Sequence, residues 1–321
     1  RWAPAPAPAA TAEACGLFRR HPKRGLYIWR SGWKSDDLMF SIEAGPYFAG
    51  HAQADRGHFN LFAYGRKWSL DSGYDKTLRR GDRGQGGAHS VVQIDGRSQA
   101  KAGGGRGVEG QVVDWHDGER VGYVMMDLTP AYNRYQQLFE NIHLPFKQGD
   151  SYAAGAERVV RHSFYVKASG DVPPYVVICD DIVAGQTVRQ FSWQLVTEPQ
   201  LALAVAEGGR AELAGGNGEE RGARMLMLAA AAEDVEWREA LHDYPADRYP
   251  NPVRKVQAVT RSRNPRFAVA LIPLPIGAEA PAIESSGNAR QRRIGIRWPS
   301  GRRDRIDWRP ASLKPTLSIE D

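Results

Sequence analysis

Chemically reactive side chains concentrate between His51 and His89, where they separate short apolar segments. The first eight residues of this stretch read His-Ala-Gln-Ala-Asp-Arg-Gly-His. If they are extended, the two-residue period of a strand places His51, Gln53 and Asp55 on one face. Asp71 ends the return strand of the next predicted hairpin, and His89 opens a later strand. We therefore expect three strand ends to present one polar cluster on a sheet surface.

Imidazole, carboxylate and amide-oxygen donors together suit a borderline divalent cation such as zinc. The same residues have a second interpretation, in which His51 and His89 are half-buried structural histidines and Asp71 caps a turn. Residue types alone leave both interpretations open.

The segments that flank these residues have the composition of short β-strands. Gly25–Arg30, Leu38–Ala44 and Phe59–Tyr64 are rich in aromatic and β-branched residues. Trp68–Asp71 follows closely, so Gly65–Arg66 is predicted to form a tight hairpin turn. Further strands are predicted at Ser90–Asp95, Val121–Asp127, Val159–Lys167, Tyr175–Asp181, Gln190–Val196, Met225–Ala229, Phe267–Leu274, Arg293–Trp298 and Arg305–Trp308.

Helical patterns are weak, and only Pro130–Phe139 and Ala230–Ala240 contain runs that favour a helix. Short strands separated by Gly- and Pro-rich turns are typical of a sandwich or barrel. We predict an all-β fold over residues 24–321, a large antiparallel β-sandwich with two lobes of stacked sheets. Residues 1–23 begin with alternating Pro and Ala and are predicted to form an irregular, extended linker.

The chain is basic, with a formal net charge of +6, and a basic surface attracts polyanions. Its arginines are scattered over strand-like segments and loops, whereas nucleic-acid binders cluster them on one helix or stripe. This distribution argues against a nucleic-acid partner, and it leaves an acidic polysaccharide and an ordinary solvated surface as the two interpretations. No apolar run is long enough to predict a membrane span. Cys15 and Cys179, the two cysteines, are predicted to be free thiols.

An ordered series of short motifs carries a family resemblance. The series comprises Arg30-Ser31-Gly32-Trp33, His51-x-Gln53-x-Asp55, Tyr64-Gly65, Asp71-x-Gly73 and His89-Ser90-Val91. It resembles the C-terminal β-sandwich of the heparinase II/III-like polysaccharide lyases and is similar to that of certain alginate lyases. The resemblance is dense from Gly25 to Gln99, looser through residues 158–181, and fades after Val196.

This resemblance implies two kinds of site residue. In the family, the first His of a His-x-His-x-Asp segment points into the active cleft, which assigns a catalytic role to His51. The second His, a later Asp and the His of a His-Asn pair hold a structural metal, often zinc. By position these ligands are Gln53, Asp71 and His89.

The sequence departs from the family pattern at two of these positions. Gln53 stands where the second His is expected, and Ser90 stands in place of the Asn. Because a Gln oxygen is a weaker and harder ligand than imidazole, the site binds zinc less tightly, holds another cation, or is empty. His58 is a candidate substitute ligand, although its position on the next strand fits less well.

The resemblance also implies a reaction and a partner. Such lyases break a glycosidic bond beside a uronic acid by β-elimination, using a Tyr and an Asn or His from an α/α-barrel that precedes the sandwich. We therefore expect this chain to be the sandwich part of a lyase and the barrel to be its partner. Tyr132 and Arg97 are candidate substrate-binding residues, and an ordinary loop aromatic is the other interpretation of Tyr132.

Two other functions fit the same sequence. One is a sandwich that binds carbohydrate without catalysis, and the other is an enzyme similar to the uronyl C5-epimerases, which abstract the same C5 proton. For the lyase as for these alternatives, we expect a periplasmic or secreted protein, with a homodimer as one alternative for its assembly.

Overall fold

A computed structural model describes residues 12–45, 53–71, 88–99, 110–133, 154–215, 222–230, 234–241, 254–288, 291–308 and 314–321. These residues form β-strands, a short 3₁₀ helix (Ala12–Cys15) and one α-helix, α1 (Thr129–Asn133). In chain order the strands are β1 (Phe18–His21), β2 (Leu26–Arg30), β3 (Met39–Glu43), β4 (Phe59–Ala63), β5 (Arg66–Ser69), β6 (Val92–Ile94), β7 (Gln111–Asp117), β8 (Val121–Asp127), β9 (Arg158–Val166), β10 (Tyr175–Val183), β11 (Arg189–Thr197), β12 (Leu201–Ala206), β13 (Arg210–Gly215), β14 (Ala223–Ala230), β15 (Glu236–Leu241), β16 (Arg254–Ser262), β17 (Arg266–Pro275), β18 (Ala282–Asn288), β19 (Gln291–Arg297), β20 (Arg303–Trp308) and β21 (Thr316–Glu320).

The strands form four sheets, in which neighbouring strands are antiparallel. The first sheet contains β1 to β5 in sequence order. The central sheet has the order β12-β13-β14-β17-β10-β9-β8-β7, and the side sheet has the order β15-β16-β11-β6. The terminal sheet contains β18 to β21 in sequence order.

The inner strands of the central sheet, β9, β10 and β17, are buried on both faces. Along β17, Phe267, Val269 and Leu271 pack into a core shared with the first and side sheets. The alternate residues Ala268 and Ala270 pack into a second core shared with the terminal sheet. Because successive side chains of a strand point to opposite faces, β17 is apolar at nearly every position. The result is a stack of three layers with two cores.

The predicted all-β fold with stacked antiparallel sheets is confirmed. The strand predicted at Val121–Asp127 has those same bounds as β8. In the first sheet, the edge strand β1 (Phe18–His21) pairs with β2. The sandwich therefore takes in residues that the sequence pattern assigned to the linker 1–23.

The two segments with helical patterns have different outcomes. The helix α1 covers Thr129–Asn133, at the start of the first segment. The second prediction is wrong, because residues 236–241 form β15 and pair with β16. Trp237 of β15 is 3% exposed and packs into the first core, and this burial on a sheet overrides the local preference for a helix.

Both cysteines are free, as predicted, and Cys179 is fully buried on β10. Burial raises the pKa of the Cys179 thiol well above its ordinary value, so this side chain behaves as a small apolar core residue. Among the described residues, no helix has the length and apolar composition needed to cross a membrane.

Candidate functional site

Three side chains with metal-binding atoms meet where β4 begins, just after β5, and ahead of β6: His58, Asp71 and His89. One donor atom of each lies within 4.8 Å of the other two. Oδ2 of Asp71 is 3.9 Å from Nε2 of His58 and 3.8 Å from Nδ1 of His89. Both imidazoles are buried, whereas the Asp71 side chain is 41% exposed. The cluster therefore has two inner donors and one donor at the surface.

The hairpin of β4 and β5 places Asp71. Its turn is formed by Tyr64 and Gly65, which have φ angles of 54° and 69°. Two successive positive φ values are those of the hairpin turn whose twist matches the flanking strands. After β5, the backbone N–H of Asp71 donates to Oδ1 of Asn60 at 3.1 Å. Asp71, two residues after the end of β5, is thus held beside β4. The turn lies at Tyr64 and Gly65, one residue before the predicted turn at Gly65–Arg66.

A tight turn ahead of β4 places His58. Gly57 in this turn has a φ of 78°, and a Cβ atom there would lie 2.6 Å from Cδ1 of Leu128. Its N–H donates to the carbonyl of Glu43 at 2.6 Å, which joins the turn to the end of β3. Both the positive φ and the close contact require glycine at this position.

Gln99 fixes the same turn from the side of β6. Its Oε1 accepts the backbone N–H of Arg56 at 2.8 Å, and its Nε2 donates to the Arg56 carbonyl at 2.6 Å. The Arg56 guanidinium is buried and pairs with Asp55 at 2.7 Å and Glu43 at 3.5 Å. Asp55, which the sequence pattern placed on a face with His51, therefore holds a buried arginine.

Arg161 on β9 joins both histidine-bearing turns to the central sheet. Its Nη1 donates to the carbonyls of Gly57 at 2.6 Å and Ser90 at 2.9 Å. Its Nε and Nη2 bind the two carboxylate oxygens of Asp180 at 2.8 and 2.9 Å. Arg161 is 1% exposed and Asp180 is fully buried. Bidentate, charge-assisted contacts of this kind are short and directional, so they set the position of both turns.

The side sheet holds His89 from the opposite direction. Nε2 of Gln194 on β11 donates to the His89 carbonyl at 2.7 Å. Gln257 on β16 donates in turn to Oε1 of Gln194 at 3.0 Å. The next backbone N–H, that of Ser90, donates to Nδ1 of His58 at 2.9 Å. The two histidines are therefore connected through the main chain as well as through Asp71.

The electrostatics of the cluster keep His58 neutral. Burial lowers the pKa of His58 to about 4, and the nearby His89 adds to this effect, while the carboxylates of Asp71 and Asp55 oppose it. In the described part of the chain, Nε2 of His58 and both ring nitrogens of His89 are buried without a hydrogen-bond partner. Such atoms are costly to bury. Two imidazoles and a carboxylate are also a donor set that zinc and similar cations take, so the cluster fits a divalent cation by donor type and separation.

Of the metal ligands predicted from the sequence, Asp71 and His89 lie together in this cluster. The third member is His58, the substitute ligand that the sequence also suggested. Gln53 is half-buried, and its role as a ligand stays a prediction. His51 lies outside the described residues, and its catalytic role likewise stays a prediction.

The two candidate substrate-binding residues differ in exposure. Tyr132 on α1 is fully buried, and its hydroxyl donates to the Val92 carbonyl at 2.8 Å. Burial raises the pKa of Tyr132 to about 12. This ring is part of the first core, and contact with a sugar would require it to leave the core. Arg97 is exposed beside the turn of Asp95 and Gly96, which both have positive φ, and it stays a prediction.

Sequence reasoning missed Arg161 and Gln194, which hold the histidine-bearing turns. A signal for Arg161 was present, because Arg161 and Asp180 are charged residues inside two otherwise apolar predicted strands. Buried charges of opposite sign are usually paired, and β9 and β10 are neighbours with Arg161 opposite Asp180. Gln194 carries no comparable signal. An uncharged amide in a strand can hydrogen-bond to many different groups, so its presence does not indicate one particular partner.

Comparisons with known proteins agree with this architecture. The family model described as "Heparinase II/III-like, C-terminal" matches residues 16–297. A heparin-sulfate lyase from Pedobacter heparinus is 41% identical over 49 residues, which are 15% of this chain and 7% of that protein. Among solved structures, the heparan sulfate lyase HepC from Pedobacter heparinus superposes with a TM-score of 0.64 and 15% identity, and a heparinase III superposes with a TM-score of 0.65 and 14% identity.

These matches also show how much of the relatives the chain represents. It aligns over 95% of its own length with HepC and over 91% with the heparinase III, but it covers 42% of either structure. At this level of identity, the solved structures establish the shared fold. The family model covers most of the chain, and the protein therefore belongs to the heparinase II/III-like C-terminal domain family.

Proposed function

We propose that this chain is the β-sandwich part of a polysaccharide lyase that cleaves uronic-acid-containing polysaccharide by β-elimination. The observation that carries the proposal is the family match over residues 16–297. The similar proteins are named as heparin or heparan sulfate lyases, and this chain covers less than half of each solved one. In this proposal an α/α-barrel domain outside the chain completes the active site.

The proposed reaction has three chemical requirements. The uronate carboxylate must be neutralised, because its charge opposes formation of the carbanion when the C5 proton leaves. A base must take that proton, and an acid must protonate the leaving glycosidic oxygen. We assign His51 to the first requirement or to a share in proton transfer, as its position in the family motif implies.

We further propose that the site holds a divalent cation, zinc in the first instance, with a structural role. Gln53, Asp71 and His89 are the ligands that the family motif implies. Two observations support it: in the described part of the chain both ring nitrogens of His89 are buried without a hydrogen-bond partner, and Nδ1 lies 3.8 Å from Oδ2 of Asp71. A cation there would join the β4–β5 hairpin to the turn before β6. Asp71→Ala or His89→Ala should therefore lower zinc content and thermal stability together.

A basic chain suits an acidic substrate. The net charge of +6 favours encounter with polyanions of either the uronate or the sulfated class. Since such polysaccharides occur outside the cytoplasm, we extend the proposal to a periplasmic or secreted location.

The test uses the complete protein with its helical domain. Incubation with heparan sulfate, alginate or glucuronan should produce 4,5-unsaturated ends that absorb in the ultraviolet. His51→Ala should abolish this signal without changing the circular dichroism spectrum or the melting temperature. His21→Ala is the matched control, because His21 is an exposed histidine on the edge strand β1, and it should retain full activity.

The alternative functions give different results in the same assay. A C5-epimerase would exchange the C5 proton with solvent deuterium without forming unsaturated ends. A non-catalytic binding sandwich, immobilised on a column, would retain the polysaccharide without elimination and without exchange of the C5 proton. Full activity of the His51→Ala protein would contradict the catalytic assignment.

A further inference from the structure

The protonation state of His58 follows from its contact with Ser90. The backbone N–H of Ser90 donates to Nδ1 of His58 at 2.9 Å, so the lone pair of Nδ1 is occupied as an acceptor. A neutral imidazole has one N–H donor and one acceptor nitrogen. The proton of the His58 ring is therefore on Nε2, the nitrogen that faces Asp71.

Several further bonds fix this contact. The Ser90 carbonyl accepts Nη1 of Arg161 at 2.9 Å. The Ser90 hydroxyl oxygen accepts the backbone N–H of Val196 at 3.0 Å and lies 3.0 Å from the Ser69 hydroxyl. His58 and Ser90 are both buried. If the ring turned away, the Ser90 N–H would be left as a buried donor without its acceptor, which is unfavourable.

A metal ligand must offer a lone pair, and Nε2 of His58 carries a proton instead. His89 is not restricted in this way, because neither of its ring nitrogens has a hydrogen-bond partner in the described part of the chain. The two imidazoles of the cluster are therefore chemically different, although they lie at nearly equal distances from Asp71.

We propose that His58 is a positioning residue that donates its Nε2–H to Asp71, while the cation is bound by His89 and Asp71 without His58. This inference rests on the proposed cation site. The present Nε2 to Oδ2 separation of 3.9 Å exceeds a hydrogen bond by about 1 Å. The Asp71 side chain is 41% exposed, and a shift of its carboxylate toward His58 closes this gap. Asp71 would then accept the His58 hydrogen bond while it serves as a ligand of the cation.

This arrangement has a consequence for the choice of cation. A site with one imidazole and oxygen ligands is harder than a site with two imidazoles. The protein should therefore prefer zinc over manganese less strongly than a site with two histidine ligands does. Loss of the His58 donor should weaken binding by about 10- to 100-fold, as is usual when a partner that orients a ligand is removed.

The experiment compares three variants of the complete protein, each titrated with Zn²⁺ by calorimetry and measured by zinc K-edge X-ray absorption. His58→Gln supplies an amide that can accept from Ser90 and donate to Asp71, so its zinc affinity should stay within about threefold of the wild type. His58→Leu should bind about 10- to 100-fold more weakly with an unchanged imidazole count. His89→Gln should lose the imidazole signal altogether.

Two results would overturn the proposal. One is a zinc spectrum with two imidazoles in the wild type, of which one disappears in His58→Gln. The other is a wild-type protein that binds neither Zn²⁺ nor Mn²⁺, which would remove the cation site as well. Neither result depends on lyase activity, so failure of the proposed reaction remains distinguishable from failure of this inference.

Discussion

Replacing Arg161 by Met should destabilise the protein more than any single loss of a surface charge. The substitution keeps most of the side-chain volume but removes four hydrogen bonds, two to Asp180 and one each to the carbonyls of Gly57 and Ser90. Asp180 is fully buried, so its carboxylate would be left as an unpaired charge. Breaking one partner out of a buried ion pair costs about 3–5 kcal/mol. We expect a loss of about 4 kcal/mol, against a total stability of about 5–15 kcal/mol for a typical domain.

The control for this prediction lies on the same two strands. Arg158 of β9 pairs with Asp181 of β10 at 2.8 Å, but its side chain is 40% exposed. Asp181 also keeps a second partner, Arg266, at 3.2 Å. Arg158→Met should therefore cost about 1 kcal/mol or less. The free energy of unfolding of both variants is measured by urea titration with tryptophan fluorescence as the signal.

A double variant separates the two parts of the loss. Arg161→Met with Asp180→Leu removes the unpaired charge but leaves the carbonyls of Gly57 and Ser90 without their donor, so about 1–3 kcal/mol of the loss should remain. The reasoning is refuted if Arg161→Met costs no more than the control Arg158→Met. A double variant as stable as the wild type would show that the two carbonyl contacts contribute nothing.

Two further predictions concern buried positions away from the site. Burial lowers the pKa of His162 to about 3 from its ordinary 6.5, so the unfolded chain takes up a proton that the folded chain refuses, and stability falls as the pH drops from about 6.5 to 3. At most, this histidine changes the free energy of unfolding by about 1.4 kcal/mol per pH unit. Urea titrations at several pH values should therefore give a smaller slope of unfolding free energy against pH for His162→Gln. An equal slope in both proteins would contradict the lowered pKa of His162. Gly122→Ala would place a Cβ atom 2.3 Å from Nε1 of Trp29, which should lower stability by about 1–3 kcal/mol in thermal melts. In a Trp29→Phe background, which lacks the indole nitrogen, the same substitution should cost less, and a Gly122→Ala protein with unchanged stability would contradict the contact.

The fold could be predicted from the sequence where one strand carries its own pattern. The apolar segment Val121–Asp127 predicted β8 with its observed bounds, and its residues alternate between half-buried and buried positions. The polar edge strand β7 (Gln111–Asp117) was not predicted, because its residues are mostly exposed or half-buried and no apolar period marks it. The strand β15 was assigned to a helical segment because its residues include helix formers, and the burial of Trp237 in the first core leaves no mark on the local pattern.

The candidate site divides in the same way. Asp71 and His89 could be predicted as neighbours, because a hairpin and a following strand bring them together locally. The contact between Ser90 and His58 could not, because it depends on the exact path of two turns. Those turns are fixed by Arg161 and Gln194 from other sheets, and a pattern confined to the segment 51–90 contains no information on either.

These two side chains also determine when the site can form during folding. Arg161 bonds a carbonyl 104 residues earlier in the chain, and Gln194 bonds one 105 residues earlier. Contacts between residues so far apart form slowly, because a long loop must close before they stabilise anything. During synthesis, the full set of contacts to the histidine-bearing turns cannot form until β11 has left the ribosome and joined the side sheet. A nascent chain that ends before Arg161 holds all three residues of the cluster but lacks the bonds from Arg161 and Gln194 that place them, so the site is completed only after β9 and β11 have been synthesised.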